Sequence, residues 1–293
     1  MDNLNNNIIW HYTNYNVLEK IFFENKNGPQ MRATHFKYFE DHEEIIRAAK
    51  IALKHFKNQN LPQTHNSIKL LKQLTSLEYY LNGYYVLSFA IPRDSLYHWK
   101  TYANKDQNGG CAIGFNQNQL SKLFSHVLIN EKSGGMSTQG PMFRHPLVCI
   151  YENREEKIKL LLDSIVNKHN FSSDDEIAKF ENAYCSAEII SSLLKIKTEK
   201  YKEDAEIRLV FYYKPDIKEN YNVVDNCTFY HCKIEDKPFL YCPFNMKVLQ
   251  DCACPEIMLA GNSNIGRGME LVTRIKQKYN LNIRVSISRY SME

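Results

Sequence analysis

The order of strand-like and helix-like segments constrains this chain more than any single motif. Stretches rich in β-branched and aromatic residues stand at 8–13, 84–89, 111–115 and 146–151, and again at 206–213, 227–233, 239–241, 256–260 and 283–288. Helical periodicity lies between these strands, both within the first group and between the two groups. Ile45, Ala49, Leu53 and Phe56 recur at helical spacing in 41–57, a second helix is expected over 67–81, and a further helical block over 155–197. Within that block Ser173 and Glu176 have the spacing of a capping box. Shorter helices are expected at 95–103, at 268–279 and after Asn14, which can cap a turn carrying Val17, Leu18, Ile21 and Phe22. No β-α-β-α alternation runs through the chain, which argues against a doubly wound sheet. The expected fold is α+β, with a mixed, mostly antiparallel sheet and helical insertions at about 41–81 and 155–197. No Gly-, Pro- or Ser-rich linker divides the sequence, so residues 1–293 are expected to form one domain.

Composition narrows the class. Hydrophobic residues make up 43% of the 293 and charged ones 24%, enough for a packed core and unlike a disordered chain. No apolar run approaches the roughly 18 residues of a membrane span, and the start MDNLNNNIIWHYT lacks the features of a signal peptide. The expectation is therefore a cytoplasmic protein with no membrane partner. The formal charge of +4 is too small to argue for nucleic acid. Eight cysteines, at 111, 149, 185, 227, 232, 242, 252 and 254, form no C-x-x-C pair. Only Cys252-x-Cys254 is close, too tight for the usual zinc knuckle, so reduced thiols and no metal site are expected.

Five segments could carry chemistry. On a strand at 8–13, His11 and Thr13 point the same way and could bind a ribose diol or a phosphate, or could simply be satisfied side chains. Residues 39–44 hold Glu40, Asp41, His42, Glu43 and Glu44 at a helix start, where carboxylates suit either Mg²⁺ or the helix dipole. Trp99 and Tyr102, three apart, would share a helix face and either line a slot for a flat ring or pack on the sheet. Glu206 and Arg208 would share one strand face, with Ile207 and Leu209 on the other, as an ion pair or as a site for a developing positive charge. Residues 257–268 read as strand, glycine turn and helix, without the spacing of a phosphate-binding P-loop.

Taken in order, His11-Tyr12-Thr13, Phe39-Glu40-Asp41-x-Glu43, Ser88-Phe89, Trp99-x-x-Tyr102-Ala103, Gly110-x-x-Ile113-Gly114-Phe115, Glu203-x-x-Glu206-x-Arg208 and the strand from Ile257 to Gly261 resemble the prokaryotic domain-of-unknown-function family 2971. The resemblance runs over about residues 8–288. That family's acidic motif usually reads Phe-Asn-Asp-Pro-x-Glu, whereas here Glu40 and His42 replace the Asn and the Pro. Its late motif usually reads Glu-x-Glu, whereas here the nearer acid to Glu206 is Asp204.

A looser resemblance is to ADP-ribosyltransferases of the His-Tyr-Glu kind, through His11-x-Thr13, Tyr102 and Glu206 in that order. It implies a sheet of the ADP-ribosyltransferase type and NAD⁺ as substrate, with the nicotinamide–ribose bond cleaved. His11, Tyr12, Thr13 and Ser88 would line the binding cleft, His11 and Thr13 holding the adenosine-side ribose and adjoining phosphate. Trp99 or Tyr102 would stack on nicotinamide, and Glu206 would bind the ribose and stabilise the oxocarbenium. Arg208 would contact a phosphate or pair with Glu206. The acceptor could be protein, DNA or RNA, and the setting a toxin system or antiviral defence. Three alternatives stand beside it: an NAD glycohydrolase, a non-catalytic binding module, and a metal-dependent nuclease using Asp41, Glu43, Glu44 and Glu206.

Overall fold

A computed structural model describes residues 7–26, 28–39, 43–60, 65–76, 84–103, 109–124, 142–143, 146–168, 188–212, 230–234, 237–261 and 264–291. In chain order its strands are β1 (Ile8–Asn14), β2 (Gln30–His35), β3 (Tyr84–Ala90), β4 (Gly110–Asn116), β5 (Met142–Phe143), β6 (Leu147–Val148), β7 (Ile150–Tyr151), β8 (Ile196–Lys197), β9 (Glu206–Tyr212), β10 (Tyr230–Ile234), β11 (Lys237–Pro243), β12 (Glu256–Gly261) and β13 (Arg284–Ser291). The chain divides into two compact units, one of 1–35, 85–146 and 204–293, the other of 36–84 and 147–203.

The first unit is built on a sheet of order β10-β11-β2-β3-β1-β4-β12-β13, with β9 on β3 and β5 on β9. Its registered pairs are antiparallel except β12–β13, which is parallel. This is the mixed, mostly antiparallel α+β arrangement expected from the segment order. The parallel pair needs a crossover, and the helix Ile265–Tyr279 supplies it, burying Gly268, Leu271, Val272 and Ile275. Gly268 is required there, because a Cβ would come within 2.5 Å of the Tyr15 hydroxyl.

β1 runs through the middle and is apolar on both sides. Ile9 joins the main core with Cys111, Ile113, Phe115, Ile257 and Leu259. Trp10 and Tyr12 face the opposite way, into a second cluster with Trp99, Ala112 and Met258. The register fixes the faces: His11 lies opposite Ile113 and Thr13 opposite Cys111, whereas Tyr12 lies opposite Ala112. One cross-sheet row reads Arg284, Glu256, Gly114, Trp10, Ala90. Gly114 makes this row possible, since a Cβ there would meet the Trp10 ring at 3.0 Å. At the end of β1 the Asn14 side chain accepts the Val17 N–H at 2.8 Å, the expected cap. The short helix Tyr15–Glu19 then opens into a wider turn, Lys20–Glu24.

The second unit is mainly helical. The helix Glu44–Asn58 buries Ile45, Ala48, Ala49, Ala52 and Phe56 and packs on Asn66–Ser76 and on Glu155–Lys168. His55 and Gln59 both reach Asp163, at 2.8 and 3.0 Å. The expected insertions, about 41–81 and 155–197, fall inside this unit.

Four local expectations are corrected. The single strand at 146–151 is two, β6 and β7, separated at Cys149. The block 155–197 is not helical to its end, because Ile196–Lys197 pairs in parallel with Ile150–Tyr151. The last helix starts at Ile265 rather than at 268. β2 was not anticipated, and it sits between β11 and β3. The Ser173–Glu176 capping box and Glu40, Asp41 and His42 lie outside the described residues. No helix among the described residues is long and apolar enough to cross a membrane.

Candidate functional site

The most polar convergence in the first unit forms where the segment after β3 meets the start of β9. A single helical turn, Leu96–His98, widens into a π-type turn, Trp99–Ala103. The wider turn advances fewer degrees per residue than an α-helix, so residues three apart no longer share a face. Trp99 is fully enclosed, and its indole N–H donates to Asp94 Oδ1 at 2.8 Å. Tyr102 is 37% exposed. The expected common face of Trp99 and Tyr102 is thus corrected: Trp99 is a core residue and only Tyr102 presents a ring to solvent.

Asp204 anchors this turn. Its Oδ1 accepts from the hydroxyls of Tyr97 at 2.9 Å and Tyr102 at 2.8 Å, and its main-chain carbonyl oxygen lies 2.9 Å from His98 Nε2. Ala205 follows with φ of +39°, a conformation that strains a residue carrying a Cβ. It is held there by the Ile91 N–H, which donates to the Ala205 carbonyl at 3.0 Å. The chain then enters β9, where Ile207 and Leu209 turn into the main core. Glu206 and Arg208 take the other face, as the alternation of a strand requires. Arg208 grips the Glu206 carboxylate with both edges of its fork, Nε at 2.9 Å and Nη2 at 3.1 Å. Both side chains are buried.

The electrostatics follow from this packing. Burial pushes the Tyr102 phenol far up, and the Asp204 carboxylate, Tyr97 and Glu206 push it further. Tyr102 is therefore a neutral hydrogen-bond donor at every physiological pH and not a base. Burial also raises Tyr12, to about 12. Its hydroxyl donates to the Pro92 carbonyl at 2.9 Å and accepts the Ser95 N–H at 3.1 Å. The Tyr12 ring stacks on His98 at 5.0 Å, and His98 in turn lies 5.9 Å from Tyr102.

The residues expected to converge do so only in part. The Glu206 carboxylate is among the charges that raise the Tyr102 phenol. On β1 it is Tyr12 that touches their cluster. His11 and Thr13 lie on the other face, with His11 Nδ1 3.2 Å from the Ser88 carbonyl oxygen and its ring edge-on to Phe89. Thr13 is buried and Ser88 exposed. Burial lowers the His11 pKa, and the Ser88 carbonyl offsets this only in part. His11 is therefore neutral near pH 7. A carbonyl can only accept, so the ring proton sits on Nδ1 and Nε2 keeps its lone pair.

Two carboxylates outside the expected set belong to the same face of the sheet. Asp94, at φ of +55°, accepts from Trp99, from the Ser288 hydroxyl and from the Arg289 N–H. Burial alone would raise its pKa, but these donors outweigh it and hold it below the usual range. Glu256, 1% exposed, accepts from Arg93 at 2.6 Å, from Arg284 and from Ser286. Here too burial works upward and the donors win, leaving the carboxyl low. The sequence carried one signal for this cluster, the alternation Arg284-x-Ser286-x-Ser288-x-Tyr290 along an otherwise ordinary strand.

Elsewhere, Glu44 is buried at the first turn of its helix in the second unit. Among the described residues no three His, Cys, Asp or Glu side chains are grouped to hold a metal ion. Cys111, Cys149, Cys242 and Cys254 are buried.

Residues 98–209 match the model of a family described as Protein of unknown function (DUF2971). The match to DUF2971 begins at His98 and ends at Leu209, so it contains Trp99, Tyr102, Asp204, Glu206 and Arg208. No curated protein and no solved structure matches the chain.

Proposed function

We propose that this protein is an ADP-ribosyltransferase-like enzyme that cleaves the nicotinamide–ribose bond of NAD⁺, with Tyr102 and Glu206 at the reacting centre. The observation that carries this reading is the half-exposed Tyr102 ring, fixed through its hydroxyl to Asp204 and within electrostatic reach of the Glu206 carboxylate. Breaking a glycosidic bond to a cationic leaving group needs a platform for a flat ring and a negative charge near the anomeric carbon. In this assignment nicotinamide stacks on Tyr102. Glu206, held in place by Arg208, accepts a hydrogen bond from a ribose hydroxyl and stabilises the oxocarbenium as nicotinamide departs neutral. Asp204 is a positioning residue, since its carboxylate already holds two phenols. His11 lies on the other face of β1 and takes no part in this assignment.

One observation favours a second reading, a non-catalytic binding module. Both Glu206 oxygens already accept from Arg208, and the residue is only 7% exposed. Incubating the protein with ADP-ribose-labelled NAD⁺ separates the cases. Label on a macromolecule supports transfer, free labelled ADP-ribose supports hydrolysis, and intact NAD⁺ leaves the binding module. Either activity should persist in EDTA, because no step uses a metal.

A further inference from the structure

We propose that Arg93 and Arg284, held on the buried Glu256, form a receptor for a phosphate group, separate from the Tyr102 cluster. The two arginines are 191 positions apart in sequence and meet on one carboxylate. Arg93 takes Oε1 at 2.6 Å and Arg284 takes Oε2, while the Ser286 hydroxyl also donates to Oε1. Glu256 is 1% exposed, whereas Arg93 is 53% and Arg284 58% exposed.

The asymmetry in burial is the point. A buried carboxylate shared by two guanidinium groups neutralises one charge of two and leaves a local excess of +1 on the solvent side. Each arginine gives one Nη to Glu256, and a guanidinium has five N–H donors, so donors remain for a ligand on both.

The pair is also fixed in place. Arg93 lies over the Trp10 ring at 5.8 Å, and Gly114 leaves room for that ring. Arg284 is set by the parallel register that puts it beside Glu256. Held guanidiniums lose less freedom on binding than mobile ones, which favours recognition of an anion by geometry. Nearby, Asp94 and Arg289 face each other at 3.8 Å.

Phosphate fits better than carboxylate. It offers more oxygens and more negative charge than a carboxylate, which suits two guanidinium groups with N–H donors to spare. The reading is independent of NAD⁺ cleavage and is tested without it.

Calorimetric titration of the full chain with inorganic pyrophosphate should show saturable binding of one equivalent. Arg284→Gln should weaken it about tenfold or more, as expected for loss of charge-assisted hydrogen bonds. Arg284→Lys keeps the charge without the fork and should also bind more weakly than wild type. Arg32→Gln, on β2, where the guanidinium pairs with Glu24, should bind as wild type does. AMP should bind and adenosine should not. AMP tighter than pyrophosphate assigns the site to a nucleotide phosphate, and the reverse order assigns it to the free anion. Absence of saturable binding by the wild type, equal binding by Arg284→Gln, or adenosine binding as tightly as AMP overturns the proposal.

Discussion

Replacing Arg208 by Met should be among the most damaging single changes on β9, and a second substitution should repair most of the damage. Arg208 and Glu206 are joined by two hydrogen bonds of 2.9 and 3.1 Å, with side chains 2% and 8% exposed. Removing the guanidinium leaves a carboxylate in a site it cannot leave and that water cannot easily reach. Breaking such a buried pair from one side costs about 3–5 kcal/mol. At roughly 2–4 °C per kcal/mol for a domain of 150–250 residues, the midpoint should fall by about 10 °C. Arg208→Met combined with Glu206→Gln removes the stranded charge, and should return to within about 1–2 kcal/mol of the wild type, because an apolar or neutral replacement of both partners is nearly neutral. Urea unfolding of wild type, both single variants and the double variant at pH 7 gives the coupling directly. If Arg208→Met and the double variant are equally unstable, or if Arg208→Met loses less than about 1 kcal/mol, the pair is not the coupled buried unit described here.

Two further outcomes test the second cluster and the sheet. The carboxyl of Glu256 lies low in the folded protein, so its stabilising effect is complete above the unfolded value near 4.5 and is lost as pH falls through the folded one. The stability difference between wild type and Glu256→Gln should therefore be largest near neutral pH, about 2 kcal/mol, and should shrink below pH 4.5; a difference that grows on acidification would reverse the assignment. Gly114→Ala drives a methyl to 3.0 Å from Trp10 and from Ile8, and should destabilise by about 1–3 kcal/mol, read as a loss of thermal midpoint with unchanged secondary structure; an unaffected midpoint would show that the indole has room to move.

Much of this architecture is legible from local pattern. β1, β3, β4, β9 and β12 carry β-branched or aromatic runs on strands buried on one or both faces, so periodicity finds them. β2 escapes because Gln-Met-Arg-Ala-Thr-His buries only Met31 and Ala33 toward the main core, and its place is decided by partners far along the chain. Asn14 was readable as a cap, since its chemistry acts within three residues.

In the site, the common face of Glu206 and Arg208 follows from the two-residue period of a strand. The pairing of Trp99 with Tyr102 fails for the matching reason: the three-residue rule assumes α geometry, and the turn there is wider. The role of Asp204 as anchor for two phenols, and the gathering of Arg93 and Arg284 on Glu256, are set by tertiary register across residues 28 to 163 positions apart. No spacing within either segment encodes such contacts.

The most direct test of the functional account is release of free nicotinamide from NAD⁺ by wild type and by Glu206→Gln, with the folded fraction of each fixed by near-ultraviolet circular dichroism. The account predicts steady release by the wild type and none above background by the folded variant. Equal release by the two, or NAD⁺ left intact by the wild type, would contradict it.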